Sequence, residues 1–363
     1  EPLSVTSRTY NLAPDGTFGQ FLASEAANRG LRAGDEALLI QLREDSDFRT
    51  NIGLVNGWKR TARVAVDLHG GNGDLLATTT RNIPPESTVQ LGRPFETVGG
   101  RTDIISGYAR IRVLSGRHLF AYASVIDNAT NDPTTIPMKT GAGSARSWIA
   151  AAANGEGAHD SMWQTDLALL NLSGQQATIE LRFRGGETAT SAIVLAEGEQ
   201  RLVEDVVGEL GVTDSGSLEV FSDRPLFVGS RTYNLSAEGT FGQFLDGHPD
   251  VALAGADETV WLPQLRQNPD FRSNIGLVNT GSAASRVRIR LYDGDGVELA
   301  TTVRTLAPHQ RRQLQEPFDL LAGRSDLDEA AASVTVVTGD GVLAYASVID
   351  NSTNDPTTVP MVY

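Results

Sequence analysis

Phe48–Asn56, FRTNIGLVN, returns at Phe271–Asn279 as FRSNIGLVN, and Trp163–Asn171, WQTDLALLN, lines up with both. The aromatic residues that open these segments are 115 and 108 residues apart. Sixteen residues after each aromatic, apolar side chains recur at every second position: Val64, Val66 and Leu68; Ile179, Leu181 and Phe183; Val287, Ile289 and Leu291. Charged residues fill the gaps, Glu180 and Arg182 in the second copy and Arg288 and Arg290 in the third. A period of two with one wet face describes a half-buried antiparallel strand. Phe48, Trp163 and Phe271 read as equivalent core positions.

Turn chemistry follows each strand, at His69-Gly70-Gly71-Asn72-Gly73, Arg184-Gly185-Gly186 and Asp293-Gly294-Asp295-Gly296. Glycine and Asx residues supply the positive φ that tight hairpins require. More strands are expected at Ser87–Leu91, Tyr108–Leu114 and Leu119–Ile126, with helical turns at Val203–Leu210 and Phe318–Ala322. Roughly seven short strands in roughly 110 residues give an all-β chain of tandem immunoglobulin-like antiparallel sandwiches without the antibody cysteine pair.

Two longer repeats fix the domain organisation. SRTYNLAPDGTFGQFL at Ser7–Leu22 returns as SRTYNLSAEGTFGQFL at Ser230–Leu245, identical at 13 of 16 positions. AYASVIDNATNDPTTIPM at Ala121–Met138 returns at Ala344–Met361 with 16 of 18 identities and the same offset of 223. A unit of that length holds two domains. The chain therefore divides into sandwiches over residues 23–140, 146–246 and 250–363, preceded by a surplus hairpin over 1–22 whose counterpart closes a domain. A lone strand pair is marginal in water and offers unpaired edges, so the hairpin should be docked on another domain or another chain. Arg8, Tyr10, Phe18, Phe21, Arg231, Tyr233, Phe241 and Phe244 are the candidate interface residues. Docking between chains would propagate head to tail as a filament.

Composition narrows the function classes. The 363 residues carry a net charge of −15, which disfavours nucleic acid. No run of about 18 apolar residues predicts a membrane-spanning helix. Cysteine is absent, which excludes disulfide scaffolds, thiol catalysis and cysteine-ligated zinc. The chain opens on Glu1 without a signal segment and reads as a mature or trimmed product.

The set FRxNIGLVN, AYASVIDNxTNDPTxxP and SRTYNxxxxGTFGQF resembles a repeat module of large secreted bacterial proteins, found in tandem or appended to extracellular enzymes. The resemblance spans almost the whole chain. It implies an extracellular or cell-surface location and a structural or adhesive role, and it lends no catalytic residues. The expectation is a non-enzymatic stalk, fibre segment or surface layer. Its partners are copies of itself, neighbouring repeat domains or cell-surface polysaccharide. The alternatives are a carbohydrate-binding or adhesive module, and accessory domains of a secreted hydrolase.

Catalytic chemistry finds little support. His69, His118, His159, His248 and His309 lack metal-ligand spacing. Asp293 with Asp295, and Asp326, Asp328 and Glu329, lie in turn-forming sequence rather than facing one another across a cleft. No cofactor is expected. Calcium is the one ligand with a candidate site, the oxygens of Asp127, Asn128, Asn131 and Asp132 and of Asp350, Asn351, Asn354 and Asp355. The competing reading, which is favoured, has these side chains capping their own turn before Pro133 and Pro356.

Overall fold

A computed structural model describes residues 5–14, 16–158 and 160–363. His159 lies outside the described residues. The chain opens with β1 (Thr6–Ala13) and β2 (Gly16–Ala23), an antiparallel pair that forms a sheet of its own. The first sandwich follows, with β3 (Glu36–Glu44), β4 (Phe48–Asn56), β5 (Ala62–Gly70), β6 (Leu75–Ile83) and β7 (Ser87–Gly92). It is completed by α1 (Pro94–Thr97), β8 (Ile104–Ser115), β9 (Leu119–Asp127) and β10 (Pro133–Pro137). Its sheets run β3-β8-β5-β6 and β10-β9-β4-β7. Relative to an antibody domain the terminal strands are exchanged, the first lying beside β8 and β9 lying beside β4.

The second sandwich comprises β11 (Ser144–Ala153), β12 (Gly155–Glu156), β13 (Met162–Leu170), β14 (Ala177–Arg184), β15 (Thr188–Leu195) and β16 (Gln200–Val203). After α2 (Val206–Glu209) come β17 (Ser215–Ser236), β18 (Gly239–Asp246) and β19 (His248–Pro249). The third repeats the first, through β20 (Thr259–Gln267), β21 (Phe271–Asn279), β22 (Ser285–Asp293), β23 (Glu298–Leu306) and β24 (Arg311–Gln315). It ends with α3 (Pro317–Ala322), β25 (Leu327–Thr338), β26 (Val342–Asp350) and β27 (Pro356–Pro360). Its sheets run β20-β25-β22-β23 and β24-β21-β26-β27.

The alternation read from sequence sets the faces. Val287, Ile289 and Leu291 are buried in the third core while Arg286, which starts the opposite face, is exposed. An asparagine at the end of each FRxNIGLVN-type strand holds every sandwich in the same way. Asn56 Nδ2 donates to the carbonyls of Arg60, Ile83 and Pro84; Asn171 does so to Gln175, Leu195 and Ala196, and Asn279 to Ala283, Leu306 and Ala307. Asn279→Ala leaves three carbonyls without this donor and is expected to cost roughly 2–3 kcal/mol, read as a shift in urea midpoint.

β17 carries the main difference between the sandwich types. In the first sandwich a turn at Gly116, with φ of +112°, separates β8 from β9. In the second, Pro225 holds Arg224 extended and the strand crosses from one sheet to the other without turning. β17 and β18 then run on together as a hairpin that β13 follows as a third strand. Trp163 keeps the ladder place of Phe48 and Phe271, but its indole donates to Ser161 and lines a cleft, so it is only partly buried where the two phenylalanines are buried. The expectation that Trp163 is core is therefore corrected.

The three bodies are not loose beads. Leu38, Ile40 and Tyr108 of the first sandwich share an apolar cluster with Leu170 and Phe227 of the second. Val278, Leu343 and Tyr345 of the third enter the second core. Gln200 reaches from the second sandwich to donate to the Gly107 carbonyl at 2.6 Å and accept from the Gln41 backbone at 2.9 Å.

Candidate functional site, an interdomain junction

The repeats converge on one junction. The turn after β9 is built by Asp127, whose Oδ1 accepts from the backbone of Ala129 at 2.8 Å and Thr130 at 3.0 Å. Its Oδ2 turns outward and accepts from Thr240 twice, from the backbone N–H at 2.9 Å and from the hydroxyl at 2.7 Å. Asp132 Oδ2 accepts from Gly242 N–H at 2.7 Å. The first sandwich thus offers a socket, and the β17–β18 hairpin of the second plugs it.

The same plug and socket recur at the other end of the chain. Asp350 Oδ1 accepts from Ser352 and Thr353, and its Oδ2 from Thr17 N–H at 2.9 Å and Thr17 Oγ1 at 2.8 Å. Asp355 Oδ2 accepts from Gly19 N–H at 2.8 Å. The surplus hairpin β1–β2 is therefore plugged into the socket of the third sandwich of its own chain rather than that of its immediate neighbour. Gly16 and Gly239 take φ of +137° and +138°, and a Cβ on either would come within 3.0 Å of the socket aspartate. That double demand accounts for glycine before TFGQF in both copies.

Each hairpin also reaches the opposite sandwich. Gln20 Oε1 accepts from Ser124 and Thr135 of the first sandwich, at 3.1 and 2.6 Å. Gln243 Oε1 accepts from Ser347 and Thr358 of the third, at 3.0 and 2.8 Å. Phe18 and Phe241 meet with ring centroids 5.6 Å apart. Both hairpins bridge both outer sandwiches in matching fashion, a local twofold.

Two arginines and two acids sit at this crossing. Arg231 donates to the hydroxyls of Thr134 and Thr240 and lies 3.6 Å from Asp132, over the Phe48 ring. Arg8 does the same with Thr357, Thr17, Asp355 (3.5 Å) and Phe271. Asp132 and Asp355 have no exposed surface, and the Oδ1 of each is buried without a hydrogen-bond donor. Burial pushes the Asp132 carboxyl up to about 7 against the pull of Arg231, and burial followed by Asp132 raises that of Asp355. Two buried acids so close in charge favour keeping a proton between them. Burial also acts on Asp127, but its four donors more than reverse it and hold that carboxyl below the usual range.

Of the candidate interface residues, Arg8, Arg231, Phe18 and Phe241 lie at the junction. Phe244 packs against the first core and Phe21 against the third. Tyr233 is buried under β13 and bonds Asp166 at 3.1 Å, while Tyr10 is 54% exposed. Thr17, Thr240, Gln20 and Gln243 escaped the sequence reading. Their signal was present, since GTFGQF is identical in both copies, but nothing in one sequence tells which repeated segment meets which.

Most of the oxygens proposed for calcium are taken, Asp132 Oδ1 and Asp355 Oδ1 being without a hydrogen-bond donor. Arg49 donates to Asn128 Oδ1 at 2.9 Å and Asn131 Oδ1 at 3.0 Å, and Arg272 donates to Asn351 and Asn354, both at 2.8 Å. With Asp127, Asp132, Asp350 and Asp355 bound to backbone donors, a guanidinium stands between the Asn oxygens of each loop. Asp293 closes its own turn by accepting from Asp295 and Val297, and Asp326 pairs with Arg324 at 2.6 Å. A cleft of about 380 Å³ between the second and third sandwiches is lined by Trp163, Tyr345, Arg272, Arg311, Gln243 and Gln313 among others.

No protein-family model and no curated protein matches the chain. Among solved structures it is similar to Thermotoga maritima 1070, at 12% identity over 30% of this chain and 95% of that one, with a TM-score of 0.26. The C-terminal domain of the Streptococcus agalactiae AgI/II polypeptide BspA matches at 10% identity over 68% of this chain and 100% of that one, TM-score 0.18. A glycosyl hydrolase family 2 member from Bacteroides cellulosilyticus matches at 8% identity over 68% of this chain and 32% of that one, TM-score 0.15. None of these likenesses assigns a function.

Proposed function

We propose that the chain is a non-enzymatic structural module of an extracellular or cell-surface repeat protein, a stiff segment of a stalk, fibre or surface layer. The observation that carries this reading is where the repeated residues are used. Many of those most alike between copies, in GTFGQF and DNxTND together with Arg8 and Arg231 of SRTYN, build interdomain contacts. Two plugs that each bridge both outer sandwiches remove the hinge freedom that short linkers would otherwise leave.

Small-angle scattering tests it. The double variant Asp127→Ala, Asp350→Ala should have a larger radius of gyration and a broader distance distribution than the parent, and unchanged curves would remove the junction as the stiffening element. A reproducible hydrolase activity of the purified chain would overturn the non-enzymatic part. The cleft beside Trp163 favours a second reading, carbohydrate binding, because it joins an aromatic ring to several amide and guanidinium groups. Glycan-array binding lost in Trp163→Ala would support it over a pure spacer.

A further inference from the structure

We propose that the outer edge of β1 is a docking strand for an antiparallel partner of the pattern aromatic-Gln-Thr-Asp-Leu, supplied by a second-type sandwich that lacks its own closing hairpin. This deepens the repeat-module reading and rests on it.

The template is inside the chain. Ser7-Arg8-Thr9-Tyr10-Asn11 is identical to Ser230-Arg231-Thr232-Tyr233-Asn234. In the second sandwich this stretch has a strand on each side, β18 and β13, with Leu167 opposite Ser230, Asp166 opposite Arg231, Thr165 opposite Thr232, Gln164 opposite Tyr233 and Trp163 opposite Asn234. In the surplus hairpin only the β2 side is paired among the described residues. Exposure records the difference: Tyr10 is 54% exposed against 9% for Tyr233, and Ser7, Thr9 and Asn11 are exposed where Ser230, Thr232 and Asn234 are buried.

The side chains on this edge are those that a β13-like strand satisfies. Tyr233 Oη donates to Asp166 at 3.1 Å and lies 3.4 Å from Gln164 Oε1; Thr232 and Thr165 share a hydroxyl contact of 2.9 Å; Asn234 Oδ1 accepts from Met162 N–H at 2.8 Å. Nothing in the docking on the third sandwich needs a tyrosine at position 10, whose ring meets only Arg8 among the ring contacts of the described residues. An edge with unpaired N–H and C=O groups, flanked by side chains already matched to one partner sequence, is the arrangement that strand addition uses. A second copy of this chain does not fit, because its β13 is already held between β17 and β16. The occupant is a sandwich with that strand uncovered, which the hairpin would complete while remaining plugged into Asp350 and Asp355.

The probe is a fluorescein-labelled peptide of residues 161–171, SMWQTDLALLN, added to the full chain. Anisotropy should saturate, and Tyr10→Ala in the protein or alanine at the Asp166 position of the peptide should each weaken binding about tenfold, with little further loss together. Because the chain has no cysteine, register can be read covalently. Thr9→Cys should cross-link, in a buffer whose oxidised glutathione takes up the two electrons, to a peptide with cysteine at the Thr165 position, at least about tenfold faster than to one with cysteine at Gln164, whose side chain points to the opposite face. Absent saturation, equal cross-linking of the two peptides, or undiminished binding to a chain lacking residues 1–23 would overturn the proposal. Those failures would leave the scattering test of the junction untouched.

Discussion

Asp127→Ala is expected to lower stability by roughly 3–4 kcal/mol, read as a fall in urea midpoint at unchanged slope. One carboxylate closes the turn after β9 and receives both donors of Thr240, so alanine strands four donors at a buried seam. Charge-assisted bonds of this kind contribute more than neutral ones, though they are not additive. Asp350→Ala removes the same four bonds from the other socket with a different result. The β17–β18 hairpin stays paired to β13 when its socket is lost, whereas β1–β2 has no third strand among the described residues and a two-stranded hairpin is marginal alone. Hydrogen exchange in Asp350→Ala should therefore accelerate across residues 6–23 while the third core keeps its protection. Equal effects of the two variants on hairpin protection would refute the distinction between them.

What the sequence showed and what it hid follow from the range of the interactions. Strand faces and turns are local, and Val287, Ile289 and Leu291 with their intervening arginines announce them by period alone. The repeat of WQTDLALLN was also legible, but its alignment equated Trp163 with Phe48. The two share a ladder place, yet the Trp163 indole turns to Ser161 and a cleft, and no pattern inside the nine aligned residues encodes that. The junction was half legible. Both plugs and both sockets stood out as near-identical segments at one offset, and several hairpin residues were singled out for interface roles. The pairing of Thr240 with Asp127, 113 residues earlier, and of Thr17 with Asp350, 333 residues later, was not. Asp127, Asn128, Asn131 and Asp132 suggested calcium because oxygens in a short loop suit a cation as well as they suit N–H donors. Only the positions of Thr240, Gly242 and Arg49 decide between them.

Docking of the two hairpins should weaken as pH rises through about 7, the value to which burial lifts Asp132. The pair it forms with Asp355 is faced by Arg231 and Arg8 and flanked by Asp127 and Asp350. In the unfolded chain both acids titrate near 3.9. The folded protein therefore binds more protons between roughly pH 4 and 7, and stability falls with pH wherever the native state holds the extra proton. The contribution is full below the unfolded value and is lost as pH climbs through the folded one. Asp127, held low by its donors, acts in the opposite sense and costs stability only in acid below about pH 4. Between pH 5 and 9 the pair should account for a loss of roughly 2–4 kcal/mol, since each tenfold difference in proton affinity between folded and unfolded chains is worth about 1.4 kcal/mol. Asp132→Asn isolates it, because the amide keeps an acceptor for Gly242 N–H and stays uncharged at every pH. Urea unfolding at pH 5, 7 and 9 should show the parent losing stability across the series and the variant changing less, so that the variant becomes the more stable of the two at pH 9. Parallel pH profiles for parent and Asp132→Asn would mean that the two carboxyls do not share a proton, and that Arg8 and Arg231 alone balance their charge.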